Sequence, residues 1–273
     1  MKLAYPFLTE ETKKTLLGYK GDTKEVLSQL KGIGYSGIEL LIRNPDEIDV
    51  SLIHSLIQRL DFQIAAVGTG PVVSDDQLAF TAKNQETRAA AVERAKKIVD
   101  FASQFDCPMS IGKLRGEIDK ADSDQSWAWM KEGFEQVCEY AQKVGIEVAL
   151  EPQSRTAMNN LHTTLDALSF LESINLSNLK LMLDVYHMNM EGESISESFK
   201  RSSEQLIYLH VADSNRKAPG KGTYDFEEVI QALLSLNYKG FITPEINQAK
   251  DSYSEAKSAF DFLTGAIKER HRV

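Results

Sequence analysis

Cysteines and long apolar runs are scarce in this chain. Its 273 residues include two cysteines, Cys107 and Cys138, whose separation fits neither a metal-binding nor a redox motif. No stretch approaches the roughly 18 consecutive apolar residues that span a bilayer, and the N-terminal segment lacks the apolar core of a secretory signal. We therefore expect two reduced thiols, no transmembrane segment and a cytoplasmic location.

An excess of positive charge is also missing. The chain has 31 Lys and Arg residues against 40 Asp and Glu residues, which gives a formal net charge of −9. Proteins that bind nucleic acids need clustered Lys and Arg side chains to displace counterions from the phosphates. The charge balance therefore argues against a nucleic-acid partner, although one or two well-placed cations could still hold a small anionic ligand.

What the chain does contain is a regular alternation of short apolar runs and longer amphipathic segments. The eight runs are Leu3–Phe7, Gly37–Leu41, Ile64–Gly70, Pro108–Gly112, Glu147–Pro152, Leu179–Val185, Leu206–Asp213 and Phe241–Ile246. The segments between them, such as Thr87–Gln104 and Phe134–Val144, have apolar residues at spacings of three and four, which is typical of helices. Strands that are apolar on both faces indicate a parallel sheet covered by helices. Eight such units predict one (β/α)8 TIM barrel domain over residues 1–273. The alternative, an open doubly wound sheet, lacks its glycine-rich phosphate turn after the first strand.

Four consecutive strands of this barrel end in residues that can bind a metal ion. Glu151, Asp184 and His210 each follow a block of apolar residues, and Glu245 lies near the end of the eighth run. These are the C-terminal strand ends, where the chemistry of such barrels is found. Three carboxylates that converge with one imidazole would repel one another strongly unless a divalent ion neutralised them. The pattern predicts one divalent metal ion, Mn²⁺, Mg²⁺, Co²⁺ or Zn²⁺, held by these four side chains.

Five segments around these residues resemble the xylose-isomerase-like barrel superfamily. They are LEP (150–152), LDVYHM (183–188), HVADSNR (210–216), PGKG (219–222) and NYKGFITPE (237–245). Within the superfamily they are similar to tagatose/psicose 3-epimerases and hydroxypyruvate isomerases. The resemblance covers the second half of the chain densely, and in the first half it depends mainly on GYSGIEL (34–40). It implies an isomerase or epimerase of a ketose or ketose phosphate, which abstracts a proton beside the carbonyl through a metal-stabilised enediolate.

The resemblance also assigns roles to the four predicted ligands. It implies that Glu151 and Glu245 act as the acid–base pair in addition to binding the metal. Asp184 and His210 are expected to be ligands only.

Five further residues are predicted to bind the substrate. The resemblance implies this role for His187 and Arg216. Asp213, in contrast, is expected to orient a ligand. Glu39 ends the second strand and could either reach sugar hydroxyls across the barrel mouth or form a structural ion pair. Lys113 and Arg115 follow the fourth strand and could either anchor a phosphate or carboxylate group or belong to an exposed basic loop.

One segment departs from the epimerase pattern. Ketose epimerases usually carry a second glutamate six residues after the first ligand, in a segment resembling Glu-x-x-Asn-Arg-x-Glu. Here Ser154 replaces the asparagine and Ala157 replaces the second glutamate. The departure argues against a free-sugar 3-epimerase and leaves isomerase, epimerase and dehydratase activity open.

Two other functions remain as alternatives. A DNA-repair nuclease similar to endonuclease IV would need extra histidines after the third and fourth strands, where this chain has Gly68–Gly70 and Gly112–Lys113. A non-catalytic barrel would carry three unneutralised buried carboxylates with no function to require them. We expect a small sugar or sugar phosphate as the ligand, and a homodimer or homotetramer is compatible with the resemblance.

Overall fold

Parallel strands with apolar side chains on both faces form the inner wall of the protein. The computed structural model describes residues 1–249 and 251–270. The described residues form nine strands. Eight of them hydrogen-bond in sequence order, and the first of these eight also pairs with the last, so they close into a barrel. The strands are β1 (Lys2–Leu8), β2 (Tyr19–Lys20), β3 (Gly37–Leu41), β4 (Gln63–Gly68), β5 (Met109–Ile111), β6 (Val148–Leu150), β7 (Leu179–Asp184), β8 (Leu206–Val211) and β9 (Phe241–Pro244).

The predicted (β/α)8 barrel is confirmed, because each of the eight apolar runs overlaps one barrel strand. The short strand β2 was not predicted; it extends the sheet beside the C-terminal end of β1. The predicted single domain over residues 1–273 includes Lys250 and residues 271–273, which lie outside the described residues.

Helices between the strands form the outer layer. They are α1 (Thr23–Ile33), α2 (Val50–Leu60), α3 (Gly70–Asp76), α4 (Gln85–Ser103), α5 (Ser123–Lys143), α6 (Thr164–Ile174), α7 (Val185–Met190), α8 (Ile195–Ser202), α9 (Phe226–Ser235) and α10 (Ser252–Arg270), with short 3-10 helices at Pro45–Glu47 and Lys113–Arg115. Several begin where a polar side chain accepts a hydrogen bond from a backbone N–H of the first turn, as Asp22, Asn84 and Asp225 do. None of the described helices has the length and apolarity needed to cross a membrane.

The core has two parts. A large apolar layer lies between the strands and the helices. A smaller cluster fills the barrel itself, where alanines on several strands leave room for Met182, Tyr208 and Phe241. The inward-facing side chains therefore pack the lower barrel and leave its C-terminal end to polar residues.

Candidate metal centre

Side-chain alternation along β7 and β8 directs two potential metal ligands to the barrel mouth. Met182 and Tyr208 point into the barrel interior. Residues two positions apart on a strand face the same way, so Asp184 and His210 follow them on the inner face. These two residues are also direct partners in the register of β7 and β8.

Two glutamates continue the same arrangement on either side. The backbone N–H of Glu151, just after β6, donates to the carbonyl of Ile111 (3.0 Å), and that of Glu245, just after β9, donates to the carbonyl of Val211 (3.1 Å). These bonds extend the strand order beyond the formal strand ends. As a result, one potential ligand atom from each of the four predicted residues lies within 4.8 Å of the others, and no second such group occurs among the described residues.

The chemistry of this four-residue cluster fits a divalent metal ion. Oε1 of Glu151 and Nδ1 of His210 are buried and have no hydrogen-bond partner among the described residues. Nδ1 of His210 also lies 3.8 Å from Oε2 of Glu245. Unpaired buried polar atoms are costly, and three carboxylates with one imidazole are ligands that Mn²⁺, Mg²⁺, Co²⁺ and Zn²⁺ accept. The cluster can therefore hold the predicted ion.

Burial and the neighbouring charges shift the pKa values of the carboxyl groups in the cluster. Burial raises the pKa of Glu151 to about 8, and the neighbouring carboxylate of Glu245 adds to the shift. Burial also acts to raise the pKa of Asp184, but the Arg216 guanidinium and the nearby histidines outweigh it and lower that pKa. Glu151 therefore retains its proton at neutral pH, and a divalent ion at the cluster would have to displace it.

Glu39 contacts His210 and also lines the cavity over the cluster. Its side chain is 1% exposed, and Oε2 accepts from Nε2 of His210 (2.8 Å) and from the Tyr208 hydroxyl (3.1 Å). This bond assigns the Nε2 proton to the side facing Glu39 and leaves Nδ1 directed at the cluster. The structural pairing is thus present. Oε1 of Glu39 is buried without a partner among the described residues, and the contact with sugar hydroxyls stays a prediction.

The pKa of His210 follows from the same contact. Burial alone would lower it, but the carboxylates of Glu39 and Glu245 outweigh burial and raise it to about 10. The imidazolium charge offsets part of the carboxylate charge, and a metal ion at Nδ1 would have to displace a proton.

His187 and Arg216 lie beside the cluster, where substrate contacts were predicted. Nη1 of Arg216 donates to Oδ2 of Asp184 (2.7 Å), and Nη2 donates to Oε2 of Glu245. His187 lies on α7, with Nδ1 3.0 Å from Oγ of Ser154, and burial lowers its pKa. Both residues line the cavity above the cluster. The structure thus brings both together with all four potential ligands.

An anion anchor would need Arg115 at the cavity, but the structure places this residue elsewhere. Its side chain is fully buried and donates to the carbonyl oxygens of Gly112 (2.8 Å), Glu151 (2.8 Å) and Asn160 (3.2 Å) and to Oδ1 of Asn160 (2.8 Å). Burial lowers the pKa of this guanidinium to about 10. The 3-10 turn after β5 directs the side chain inward, so Arg115 supports the segment that carries Glu151. Lys113, by contrast, is exposed and lines the cavity.

The cavity over the cluster has a volume of about 660 Å³. Its outer wall is partly apolar and includes Leu16, Leu17, Val73 and Tyr186. Sites for small organic molecules typically combine such a wall with a few convergent polar groups.

Gln153 and Tyr208 were not predicted as site residues, and Ser154 was noted only as a departure from the epimerase pattern. Gln153 donates from Nε2 to Oε2 of Glu151 (2.8 Å), Ser154 contacts His187, and Tyr208 contacts Glu39. Strand alternation could have indicated Tyr208, which lies two positions before His210. Gln153 and Ser154 follow the end of β6, where alternation stops being a guide.

The contrast between Arg115 and Lys113 leads to a stability prediction. Arg115→Ala should lower the free energy of unfolding by about 2–5 kcal/mol, because buried oxygens lose their charged donor. Lys113→Ala, at an exposed position, should change it by less than about 0.5 kcal/mol. Urea unfolding followed by circular dichroism measures both. An Arg115→Ala variant as stable as the unmodified protein would refute the structural role.

Comparisons with known proteins show the family of the chain. A family model described as xylose isomerase-like TIM barrel matches residues 27–265. Over 217 residues the chain is 31% identical to the L-ribulose 3-epimerase of Methylomonas sp. (strain DH-1), covering 78% of this chain and 74% of that protein. It is 31% identical over 190 residues to the D-psicose 3-epimerase of Agrobacterium fabrum, covering 67% and 64% of the two chains.

A solved structure extends the similarity of fold to nearly the whole chain. The D-allulose 3-epimerase from Methylomonas sp., in complex with D-allulose, superposes with a TM-score of 0.80 at 24% identity and covers 97% of each chain. The resemblance predicted from the sequence is therefore confirmed: the chain belongs to the xylose isomerase-like TIM barrel family, and its relatives include ketose 3-epimerases.

Proposed function

We propose that this enzyme is a divalent-metal-dependent ketose 3-epimerase, with Glu151, Asp184, His210 and Glu245 as the metal ligands. The observation that carries the proposal is the convergence of these four side chains within 4.8 Å at the mouth of the barrel. The named activities of the relatives support the reaction class. Neither a dehydratase nor a nuclease is favoured by these relatives.

The position of the two glutamates supports a two-base mechanism. Glu151 follows β6 and Glu245 follows β9, so they flank Asp184 and His210 at the outer ends of the four-strand group. Two carboxyl groups that approach a bound sugar from different sides can exchange protons with its two faces.

The proton transfers follow from this arrangement. When bound, a divalent ion would polarise the ketose carbonyl and offset the negative charge that develops on it. The carboxylate of one glutamate removes the C3 proton, the C–H electron pair enters the enediolate, and the carboxyl group of the other glutamate returns a proton to the opposite face. The reverse reaction exchanges the roles of Glu151 and Glu245. Arg216 and His187 orient the substrate oxygens beside the cluster.

The cations around the cavity support a free ketose over a ketose phosphate. Arg115 is buried and its donors are used by protein oxygens, which leaves Lys113 from the predicted pair. Phosphate recognition generally uses several charge-assisted donors. The relatives reported above are also named for sugars without a phosphate group.

The departure from the usual epimerase pattern lies on the cavity wall. Thr156 and Ala157 both line the cavity next to Glu151. A hydroxyl group and a methyl group thus face the sugar where ketose epimerases usually carry a second carboxylate. The departure argued against a free-sugar 3-epimerase, but the named activities of the relatives favour one. We therefore infer that this wall adapts the enzyme to a particular ketose.

Several finer assignments accompany the proposal. We propose Mn²⁺ as the native ion, with Mg²⁺, Co²⁺ and Zn²⁺ as the alternatives that the oxygen-rich ligand set allows. A role in carbohydrate metabolism follows from the proposed reaction. The cytoplasmic location, the absence of a nucleic-acid partner and a homodimer or homotetramer stay predictions.

Isotope exchange tests the two-base mechanism. Glu151→Gln and Glu245→Gln should each lower epimerisation by about 10²–10⁴-fold, because the remaining carboxyl group serves one face of the sugar alone. In D₂O with Mn²⁺, each variant should still exchange the C3 hydrogen of one epimer, and the two variants should act on opposite epimers. NMR of psicose, ribulose and tagatose samples and of their C3 epimers measures both processes.

A glutamate on the same strand segment supplies the control. Glu147 is exposed at the opposite end of β6, so Glu147→Gln should epimerise and exchange like the unmodified enzyme. Full turnover by either Glu151→Gln or Glu245→Gln would contradict the mechanism, and release of water from the substrate would indicate a dehydratase instead.

The Glu39–His210 contact predicts an effect on metal affinity. Glu39→Gln should weaken Mn²⁺ binding by about 10–100-fold, because the imidazole loses the carboxylate that orients it and makes it more basic. Tyr208→Phe removes the other donor to the same oxygen and keeps the histidine contact, so its effect should be smaller. Isothermal titration calorimetry measures both, and unchanged affinity in Glu39→Gln would show that Glu39 does not support the ligand.

A further inference from the structure

Arg216 occupies the centre of the charged cluster and has an unusual backbone conformation. Its guanidinium donates to Asp184 and Glu245 and stacks over the ring of Tyr186, with 4.5 Å between Cζ and the ring centroid. Its φ angle is +56°, in the left-handed region that residues other than glycine rarely adopt. A strained conformation at such a site persists only when the surrounding structure enforces it.

Backbone hydrogen bonds hold this conformation from both sides. The N–H of Arg216 donates to the carbonyl of Asp213 (2.7 Å), and the N–H of Asp213 donates to the carbonyl of Lys217 (3.0 Å). The carbonyl of Arg216 accepts from the N–H of Asn247 (2.7 Å), two residues after Glu245. The turn is thereby tied to the segment that carries one of the potential ligands.

The side chain of Asp213 organises the rest of the loop. It is 1% exposed and does not line the cavity. Oδ1 accepts from the backbone N–H groups of Ser214 (2.8 Å) and Tyr224 (3.1 Å), and Oδ2 accepts from that of Gly220 (2.8 Å). One buried carboxylate thus gathers three amides spread over eleven residues.

The loop is fitted closely around this carboxylate. A Cβ atom on Gly222 would lie 2.3 Å from Oδ1 of Asp213, so residue 222 admits no side chain without a shift of the loop. The ionised carboxylate is well suited to this position, because both of its oxygens accept and neither donates.

We propose that Asp213 is a positioning residue that holds Arg216 in its left-handed conformation and so places the guanidinium between Asp184 and Glu245. Asp213 touches neither the metal-binding cluster nor the cavity, and it acts through the backbone of the loop. The inference rests on the proposed function for its activity measurement, but its structural measurement is independent of any activity.

A double-mutant cycle tests the proposal. Asp213→Asn replaces one acceptor oxygen with an NH₂ group that faces a backbone N–H, so the loop should loosen at nearly constant side-chain volume. We expect kcat/KM for the ketose to fall by about 10–100-fold, with the Mn²⁺-dependent rise in melting temperature retained. In the Arg216→Ala background, Asp213→Asn should change kcat/KM by less than about 2-fold, because coupled residues are not additive. Equal losses in both backgrounds would overturn the proposal.

Hydrogen exchange supplies the measurement that needs no activity. In Asp213→Asn, the amides of Arg216 and Tyr224 should exchange at least about 10-fold faster than in the unmodified protein. Unchanged exchange at Arg216 would overturn the proposal. An unmodified enzyme that is inactive on ketoses would instead refute the proposed function, and the exchange measurement would still decide the role of Asp213.

A second loop aspartate provides the matched control. Asp225 is exposed and accepts from the backbone N–H groups of Glu227 and Glu228 at the start of α9. Asp225→Asn should leave both kcat/KM and the exchange of the Arg216 amide unchanged. If Asp225→Asn had the same effect as Asp213→Asn, the specific role of Asp213 would be refuted. If Asp213→Asn does not fold, Asp213→Glu moves the carboxylate by one methylene and should give the same loss and the same coupling.

Discussion

The negative charge of three carboxylates gathered at one end of the barrel is the constraint on which the site depends. Glu151, Asp184 and Glu245 converge with His210 within 4.8 Å, and burial raises the pKa of Glu151 to about 8. His210 and Arg216 offset part of this charge through direct contacts. A divalent cation would take the place of the proton that this pKa leaves on Glu151, and the same cation supplies the polarisation that abstraction of a proton beside a carbonyl requires.

The barrel delivers these charges through its geometry, and a surrounding set of residues controls their orientation. Alternation along the strands places the ligands above the interior side chains, and backbone bonds carry the register past the ends of β6 and β9. Glu39 reaches His210 across the barrel, and Arg115 supports the backbone of Glu151. Polar groups outside the cluster therefore orient the side chains within it.

The sequence allowed the fold and the ligand set to be predicted, because both depend on patterns along single strands. Runs that are apolar on both faces mark buried parallel strands, and a charged residue that ends such a run marks the mouth of the barrel. The orientation of the Arg115 side chain could not be predicted, because it depends on a 3-10 helix that directs the side chain toward Asn160. The partner of Glu39 lies 171 residues away in the sequence, and such a contact emerges only when the barrel closes.

One divalent ion should bind at the cluster and neutralise its ionised carboxylates. The most direct test is a crystal structure of the protein with Mn²⁺, with an anomalous difference map collected near the manganese absorption edge. We expect one strong peak, about 2.0–2.3 Å from oxygens of Glu151, Asp184 and Glu245 and from Nδ1 of His210. No peak at the cluster, or a peak that is bound without His210, would contradict it.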